Sequence, residues 1–450
     1  MLVRQSAIAT QLVHLIYGFL LIALLFVFWS PLSLIYAGVK APALIFFWRS
    51  MTALCFWIIF LCLLLISRKA KVMIFEEFLS FSVEVRGLIL LFFMIGVLSA
   101  SFAVNTPTAF KVLGLYFSML LAVLLLASYF REFPHGIDAL VIVIIVCAIS
   151  YFLAVVGHID LPGHIGLKIF AGQSDPAIVL RQYNFSNPRF LDHFISWFLP
   201  ICCLPLLELH ASKCRKILAF IAMFCLWFFA FAHASRALLV EYGAIFIILG
   251  ALNIRMTLRF FSFQLFACVS ALLSFMIVNH SIGVESVFVR DFLANHDRFI
   301  LWQKTLAIAL HHFFLGVGAL NLLFYLHDYP HNIVLTVFAE WGVFGLAIFL
   351  LLGLRSLRLA FRLMKNQRNS ARYFVASAAV LAAMTHALFS NVFRLPLSQV
   401  SAVFAIGLLL SFMPQKNRRC GSFLLLGLNL LLLALILNFV LVPMYFSIAM

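Results

Sequence analysis

Three polar stretches interrupt a chain that is otherwise almost wholly apolar, and each holds side chains able to grip an anion or move a proton. The first is His233-Ala234-Ser235-Arg236, set between two apolar runs with almost no connecting residues. The flanking helices must meet there in a tight hairpin, which holds Arg236 at or just below a membrane surface. A cation at that depth costs about 2.5–3.5 kcal/mol even on a lenient insertion scale. A guanidinium kept there reads as a phosphate clamp at the floor of an outward-facing cavity, since its planar fork donates paired hydrogen bonds and stays charged. Snorkelling to lipid headgroups is the plainer alternative.

The second stretch runs from Arg298 and Trp302 through Gly316-Val317-Gly318 to Pro330-His331-Asn332, then into an apolar run carrying Glu340, Gly342 and Gly345. Arg298 opens a loop helix, with Trp302 one turn later as an interfacial anchor. The glycines permit a turn or a close backbone approach. Pro330 sets the approach to the next span, so His331 and Asn332 stand at its start. An imidazole so placed can act as a general base near neutral pH, tuned by a neighbouring carboxylate. A lone interfacial His is more often a solvated hydrogen bonder. The third stretch, Tyr183 to Arg189 followed by Asp192 and His193, includes Asn187 and Arg189. Asn and Arg at such a position bind hydroxyls and phosphates, though the bare pattern is weak.

What must position these groups follows from composition. The chain has 450 residues, 65% hydrophobic and 10% charged, against roughly a quarter charged in an ordinary soluble domain. No soluble core of this size absorbs that excess, so a cytosolic enzyme, a disordered protein and a disulfide scaffold are excluded. The 9 cysteines lie mainly inside apolar stretches, without the spacing of a disulfide framework or zinc site. Apolar runs of spanning length fall near 12–29, 43–66, 87–104, 112–130, 137–157, 192–209, 217–233, 237–252, 262–278, 333–353, 374–390, 395–413 and 423–447. Lipid demands that backbone groups be satisfied within each segment, and nothing alternates with a strand period, so the runs are predicted to be helices. The first run follows Arg4 and is too long for a secretion signal; it reads as an anchor.

The net charge of +16 does not point to nucleic acid, because the Lys and Arg lie in short connections rather than on one soluble face. With the N-terminus in the cytoplasm, 20 of the 31 Lys and Arg fall inside and 10 outside, Arg49 lying within a span. That bias puts two long loops, about 158–191 and 279–332, on the outer side. Of the outer cations, Arg181, Arg189, Arg236, Arg290, Arg298, Lys304 and Arg394 gather around those loops and the nearby span ends. The economical reason for keeping them there is an anionic ligand. Pairing with Asp160, Asp175, Asp192, Glu285, Asp291, Asp297 and Asp328, or with membrane lipid headgroups, is the alternative.

Taken in order, Asn187-Pro188-Arg189, Ser235-Arg236, Arg298 with Trp302, Gly316-Val317-Gly318, Pro330-His331-Asn332 and then Glu340, Gly342 and Gly345 resemble the O-antigen ligase superfamily. That superfamily also holds O-antigen polymerases and protein O-oligosaccharyltransferases. The resemblance covers about 180 to 415 and is most distinctive from Arg298 to Gly345. It implies an all-α polytopic membrane protein of about 12–13 transmembrane helices with a GT-C-like glycosyltransferase fold, in the bacterial inner membrane with its active site facing the periplasm. Five regions follow: N-terminal transmembrane helices in 1–157, a first periplasmic loop in 158–191, helices with the Ser-Arg hairpin in 192–278, the large periplasmic loop in 279–332, and C-terminal transmembrane helices in 333–450.

The implied reaction transfers a glycan from undecaprenyl pyrophosphate to lipid A–core, inverting and without a metal or other cofactor. Carried over by motif, Arg236 and Arg298 would hold the pyrophosphate and His331 would orient or deprotonate the acceptor. Arg189, Asn187, Asn332, Ser235, Arg181 and Trp302 would contact substrate. The clusters His158, Asp160, His164 and His327, His331 offer a metal alternative, although Pro330 interrupts the second pair's helical spacing. Length and the single large outer loop favour the ligase over the polymerase and the protein-directed enzyme. A lipid-linked glycan flippase would be just as polytopic and basic, but predicts internal repeats and midplane charges that the sequence does not show.

Overall fold

A computed structural model describes residues 2–36, 42–157, 189–233, 235–282, 296–326, 328–366, 370–413 and 422–441. Among these residues there are helices and no strands. They are α1 (Leu2–Tyr36), α2 (Pro42–Ile66), α3 (Arg68–Ser80), α4 (Val83–Ser101), α5 (Thr106–Glu132), α6 (His135–Gly157), α7 (Arg189–Cys202), α8 (Leu204–Leu207), α9 (Lys213–Ala232), α10 (Arg236–Ile282), α11 (His296–His311), α12 (Ile333–Asn366), α13 (Ala371–Ala387), α14 (Pro396–Leu410) and α15 (Ser422–Leu441). A 3-10 turn covers Asn321–Phe324. The predicted apolar runs therefore lie on helices wherever they are described, and 7 of those helices are long and apolar enough to cross a membrane. The protein is a multi-pass membrane protein by that measure, its outward faces carrying large apolar side chains such as Ile22, Phe26, Leu91 and Ile247.

Helix α10 has 47 residues, with a non-helical Asn253 inside it. A straight helix would put Tyr242 and Phe260 about 27 Å apart at 1.5 Å per residue. Their rings instead stack at 6.2 Å between centroids, and Phe246 meets Phe261 at 5.2 Å. Helix α10 thus doubles back at Asn253, whose side chain caps the returning half through the Met256 N–H. The two runs predicted at 237–252 and 262–278 are its two arms, without a loop between them. Helix α13 is rich in Ala and buried over most of its length, from Tyr373 to Ala387. Small residues let it pack closely against its neighbours, the usual solution where lipid removes any hydrophobic drive between helices.

One feature lay outside the sequence expectation. Residues 68–80, read as an inside connection, form α3, which turns 97° away from the end of α2. Ser67 caps it through the Ala70 N–H. Its buried face carries Glu77, which takes both guanidinium nitrogens of Arg131 at 2.5 and 3.0 Å. Lys69 pairs with Glu132, Arg215 with Asp138 and Arg372 with Glu208. These links tie α3, the end of α5 and the starts of α6, α9 and α13 at one end of the bundle. Four of the cations expected on the inside, Lys69, Arg131, Arg215 and Arg372, are thereby held at that end.

Candidate active site

The opposite end of the bundle is organised by a break in a helix. At Gly342 the chain of α12 takes φ +67°, a left-handed conformation that costs a side-chain-bearing residue about 1–2 kcal/mol. A Cβ at Gly342 would lie 2.1 Å from the Phe314 carbonyl oxygen. Broken backbone at membrane depth must be re-satisfied by protein, and the Gly316-Val317-Gly318 loop does this. The Val317 and Gly318 N–H groups donate to the freed carbonyls of Ala339 and Glu340, each at 2.9 Å, and the Val343 N–H donates to Phe313 at 2.8 Å. The Ser99 hydroxyl from α4 adds a second donor to the Glu340 carbonyl at 2.7 Å. Gly316 and Gly318 also have positive φ, and a Cβ at Gly316 would overlap the Glu340 peptide. The two glycine motifs, 25 residues apart, are two halves of one joint.

That joint fixes the start of α12. Asn332 caps it, its side-chain oxygen accepting from the Val334 and Leu335 N–H groups at 3.0 and 3.1 Å. The carbonyl of the preceding Pro330 accepts the Trp302 indole N–H at 2.6 Å. Trp302 therefore spends its one donor on setting the distance between Arg298 and His331. Between these anchors His331 itself has φ +51°, a strained conformation of the kind that collects at functional sites.

The imidazole of His331 is held from both sides. Its Nε2 lies 3.4 Å from an Asp328 carboxylate oxygen, and its Nδ1 lies 3.3 Å from the Asn391 amide nitrogen. An amide donor at Nδ1 makes that nitrogen the acceptor, so the proton sits on Nε2 and points to Asp328. Burial alone would push the Asp328 carboxyl up. The hydrogen bonds from His331 and the Tyr329 N–H, and the charges of His331 and Arg298, outweigh it and hold the carboxyl below its ordinary 3.8.

Arg298 is the third residue of α11, and burial lowers its pKa, with the neighbouring Arg236 charge acting in the same direction and Asp328 against it. Arg236 and Arg298 are thus within electrostatic range of one another, and Arg298 within range of Asp328. Arg236 is the first residue of α10, half-buried, after the α9–α10 hairpin. Both guanidiniums sit in the first turn of a helix, where aligned N–H groups favour an anion. Beside Arg236 the buried Ser235 hydroxyl makes no hydrogen bond within the protein.

Arg394, grouped by the sequence with the cations kept for an anionic ligand, instead forms a buried ion pair with Glu340 and lies 3.3 Å over the Tyr329 ring. Sequence reasoning passed over Asn391 and the polar groups behind it. Asn391 turns His331. Behind it, Ser390 meets His193 at 2.7 Å, and His386 meets both Ser196 and Glu241 at 2.7 and 2.9 Å. Asp192, one of the acids considered as partners for the outer arginines, pairs with His233 at 3.0 Å instead. The signal available for these was the concentration of polar residues in 385–394 and at 192–196, which is legible only once the helices bearing them are adjacent.

Arg236, Arg298, His331, Asn332 and Trp302 are brought to one place. Ser235 adjoins them. Arg189 opens α7, its side chain outside the described residues; Arg181, Asn187 and both His-rich clusters' His158, Asp160, His164 and His327 also lie outside them. Lys304 is exposed. No three His, Cys, Asp or Glu side chains converge among the described residues.

Residues 221–350 match the family model described as O-antigen ligase, a span that holds Arg236, Arg298, Asp328, His331, Glu340 and Gly342. This supports the O-antigen ligase superfamily for the chain. No curated protein matches it.

Proposed function

With the O-antigen ligase match as premise, we propose that the chain is a glycosyltransferase of the bacterial inner membrane. It moves a glycan from undecaprenyl pyrophosphate to a hydroxyl of lipid A–core at the periplasmic face. The observation that carries this reading is the row Arg236, Arg298, Asp328, His331, in which Arg298 stands within the field of both Arg236 and the Asp328 carboxylate and the imidazole lies next to that carboxylate.

The row divides the work. A diphosphate bridges the helix starts at Arg236 and Arg298, with Ser235 as an additional donor. The acceptor hydroxyl takes the place of the Asn391 amide at His331 Nδ1, the nitrogen left basic by the Asp328 hydrogen bond at Nε2. As the acceptor oxygen bonds to the anomeric carbon, its proton passes to Nδ1 and the glycosidic C–O bond breaks on the opposite face, inverting that carbon. The bond pair leaves with the diphosphate oxygen, and the two guanidiniums stabilise the added charge where water is scarce, commonly the largest catalytic contribution. Holding both lipid-borne substrates in one chamber removes their relative freedom and supplies much of the rest. Every charge developed in this scheme has a partner of opposite sign already in place, so it runs without a metal.

Reconstitution tests the reading. Purified protein in lipid nanodiscs, given the diphosphate-linked glycan and lipid A–core, should form the glycosylated product and release undecaprenyl pyrophosphate. Transfer only onto a second carrier-linked glycan would make it a polymerase, and transfer only onto protein the protein-directed enzyme.

A further inference from the structure

The two nitrogens of His331 look onto surroundings of different charge. On the Nε2 side stand two guanidiniums and one carboxylate, a cationic place suited to a diphosphate. On the Nδ1 side the Asn391 amide borders a cavity of about 190 Å³. Its polar lining is Thr336, Glu340, Ser390, Asn391 and Arg394, and its aromatic lining includes Tyr116 and Trp341. A water needs roughly 10–15 Å³ of such space, so there is room for a group of about a dozen heavy atoms.

Arg394 sets the character of this cavity. Its charge is cancelled by buried Glu340, and Tyr329 lies beneath its plane. One guanidinium nitrogen, Nη1, is buried without a protein partner, which costs about 1–3 kcal/mol until something accepts from it. A phosphate would bring charge to a place already neutral. A hydrocarbon chain would fit the aromatic wall but leave Nη1 unpaired, the more expensive outcome. A sugar ring satisfies both surfaces, with hydroxyls for Nη1, Asn391 and Thr336 and an apolar C–H face for the rings.

We propose that this cavity is the acceptor subsite, built for a neutral saccharide, with Arg394, Asn391 and Thr336 as the residues that select it. The assignment rests on the glycan-transfer reading and adds to it the residues that choose the acceptor. It places the acceptor hydroxyl on the Nδ1 side of His331 and the diphosphate on the Nε2 side. Asn391 and Arg394 lie beyond the 221–350 match and Thr336 within it, so acceptor choice draws in part on a segment outside the one that carries the diphosphate machinery.

The test is steady-state transfer in nanodiscs, varying donor and acceptor separately, with lipid-free core oligosaccharide as competitor. Arg394→Lys keeps a charge for Glu340 and loses the second donor; Thr336→Leu fills the cavity without touching that ion pair and decides the matter if the first variant does not insert. Both should raise the acceptor KM and the competitor's Ki tenfold or more, with the donor KM within twofold of wild type. A rise in donor KM alone, or no change in either, would overturn the subsite. So would a raised acceptor KM with an unchanged Ki for the lipid-free sugar, which would give the cavity to the lipid chain. Absence of transfer by the wild-type protein would instead remove the parent reading.

Discussion

Removing either guanidinium from the donor side takes away charge stabilisation that is needed most as the leaving group departs. Arg236→Ala and Arg298→Ala should each lower kcat by about 10²–10³ in reconstituted transfer, with Lys at either position recovering charge but not the paired donors. His331→Ala should cost about 10²–10⁴ if the imidazole takes the acceptor proton; wild-type rates would refute that role. The Asp328 carboxyl sits below its ordinary 3.8, so its bond to His331 is fully present above the unfolded value of about 3.9. It is lost only as pH falls through the lower folded value. The kcat/KM ratio of wild type to Asp328→Asn should therefore close towards unity only as pH falls below the ordinary carboxyl value of 3.8. Arg236, Arg298 and His331 were legible because a cation or imidazole at the edge of an apolar run is costly and unusual. Arg394 carried the same mark, but its pairing with Glu340 did not show, and Asn391 carried none, since polar groups at a helix connection are ordinary until their partners are known.

Among the elements, α12 shows how a broken span is made tolerable. Its free carbonyls at Ala339 and Glu340 take the N–H groups of a loop more than 20 residues earlier, so the break and the loop stand or fall together. Gly342→Ala forces a positive φ on a side chain and drives its Cβ into the Phe314 carbonyl. A loss of about 2–4 kcal/mol is expected, read as a lower melting temperature in detergent and poor recovery from the membrane. Gly353 lies on the same helix in open space, so Gly353→Ala should be neutral or stabilising by up to about 1 kcal/mol. Equal effects of the two changes would mean that the joint does not hold α12. The glycines were conspicuous in the sequence, but their pairing across the break was not, because positive φ and close approach belong to a backbone arrangement rather than to a residue type. The doubling back of α10 was half visible: two spans were expected, whereas the turn at Asn253 without any loop depends on the packing of Tyr242 and Phe246 against Phe260 and Phe261.

For the molecule as a whole, the ion pairs Arg131–Glu77, Lys69–Glu132, Arg215–Asp138 and Arg372–Glu208 gather at one end and the Arg236–His331 row at the other. Exposed Cys214 lies with the first group. In a Cys420→Ser background it should react with an impermeant maleimide in inverted vesicles and be protected in spheroplasts, while a cysteine placed at Lys304 should behave oppositely. The reverse pattern would put the donor site on the wrong side of the membrane. Because Glu77 is fully buried, Glu77→Ala should destabilise the bundle by about 3–5 kcal/mol through the unpaired Arg131. Sequence by itself determined that the chain forms apolar helices of membrane-spanning length and which cations stand at the edges of apolar runs, because hydropathy and charge placement act residue by residue. Only the tertiary structure decided that Asn391 faces His331, that Arg394 is neutralised by Glu340, and that the glycine loop closes the broken helix. Each of those is a meeting of segments distant in the chain, and their proximity is set by how the helices pack.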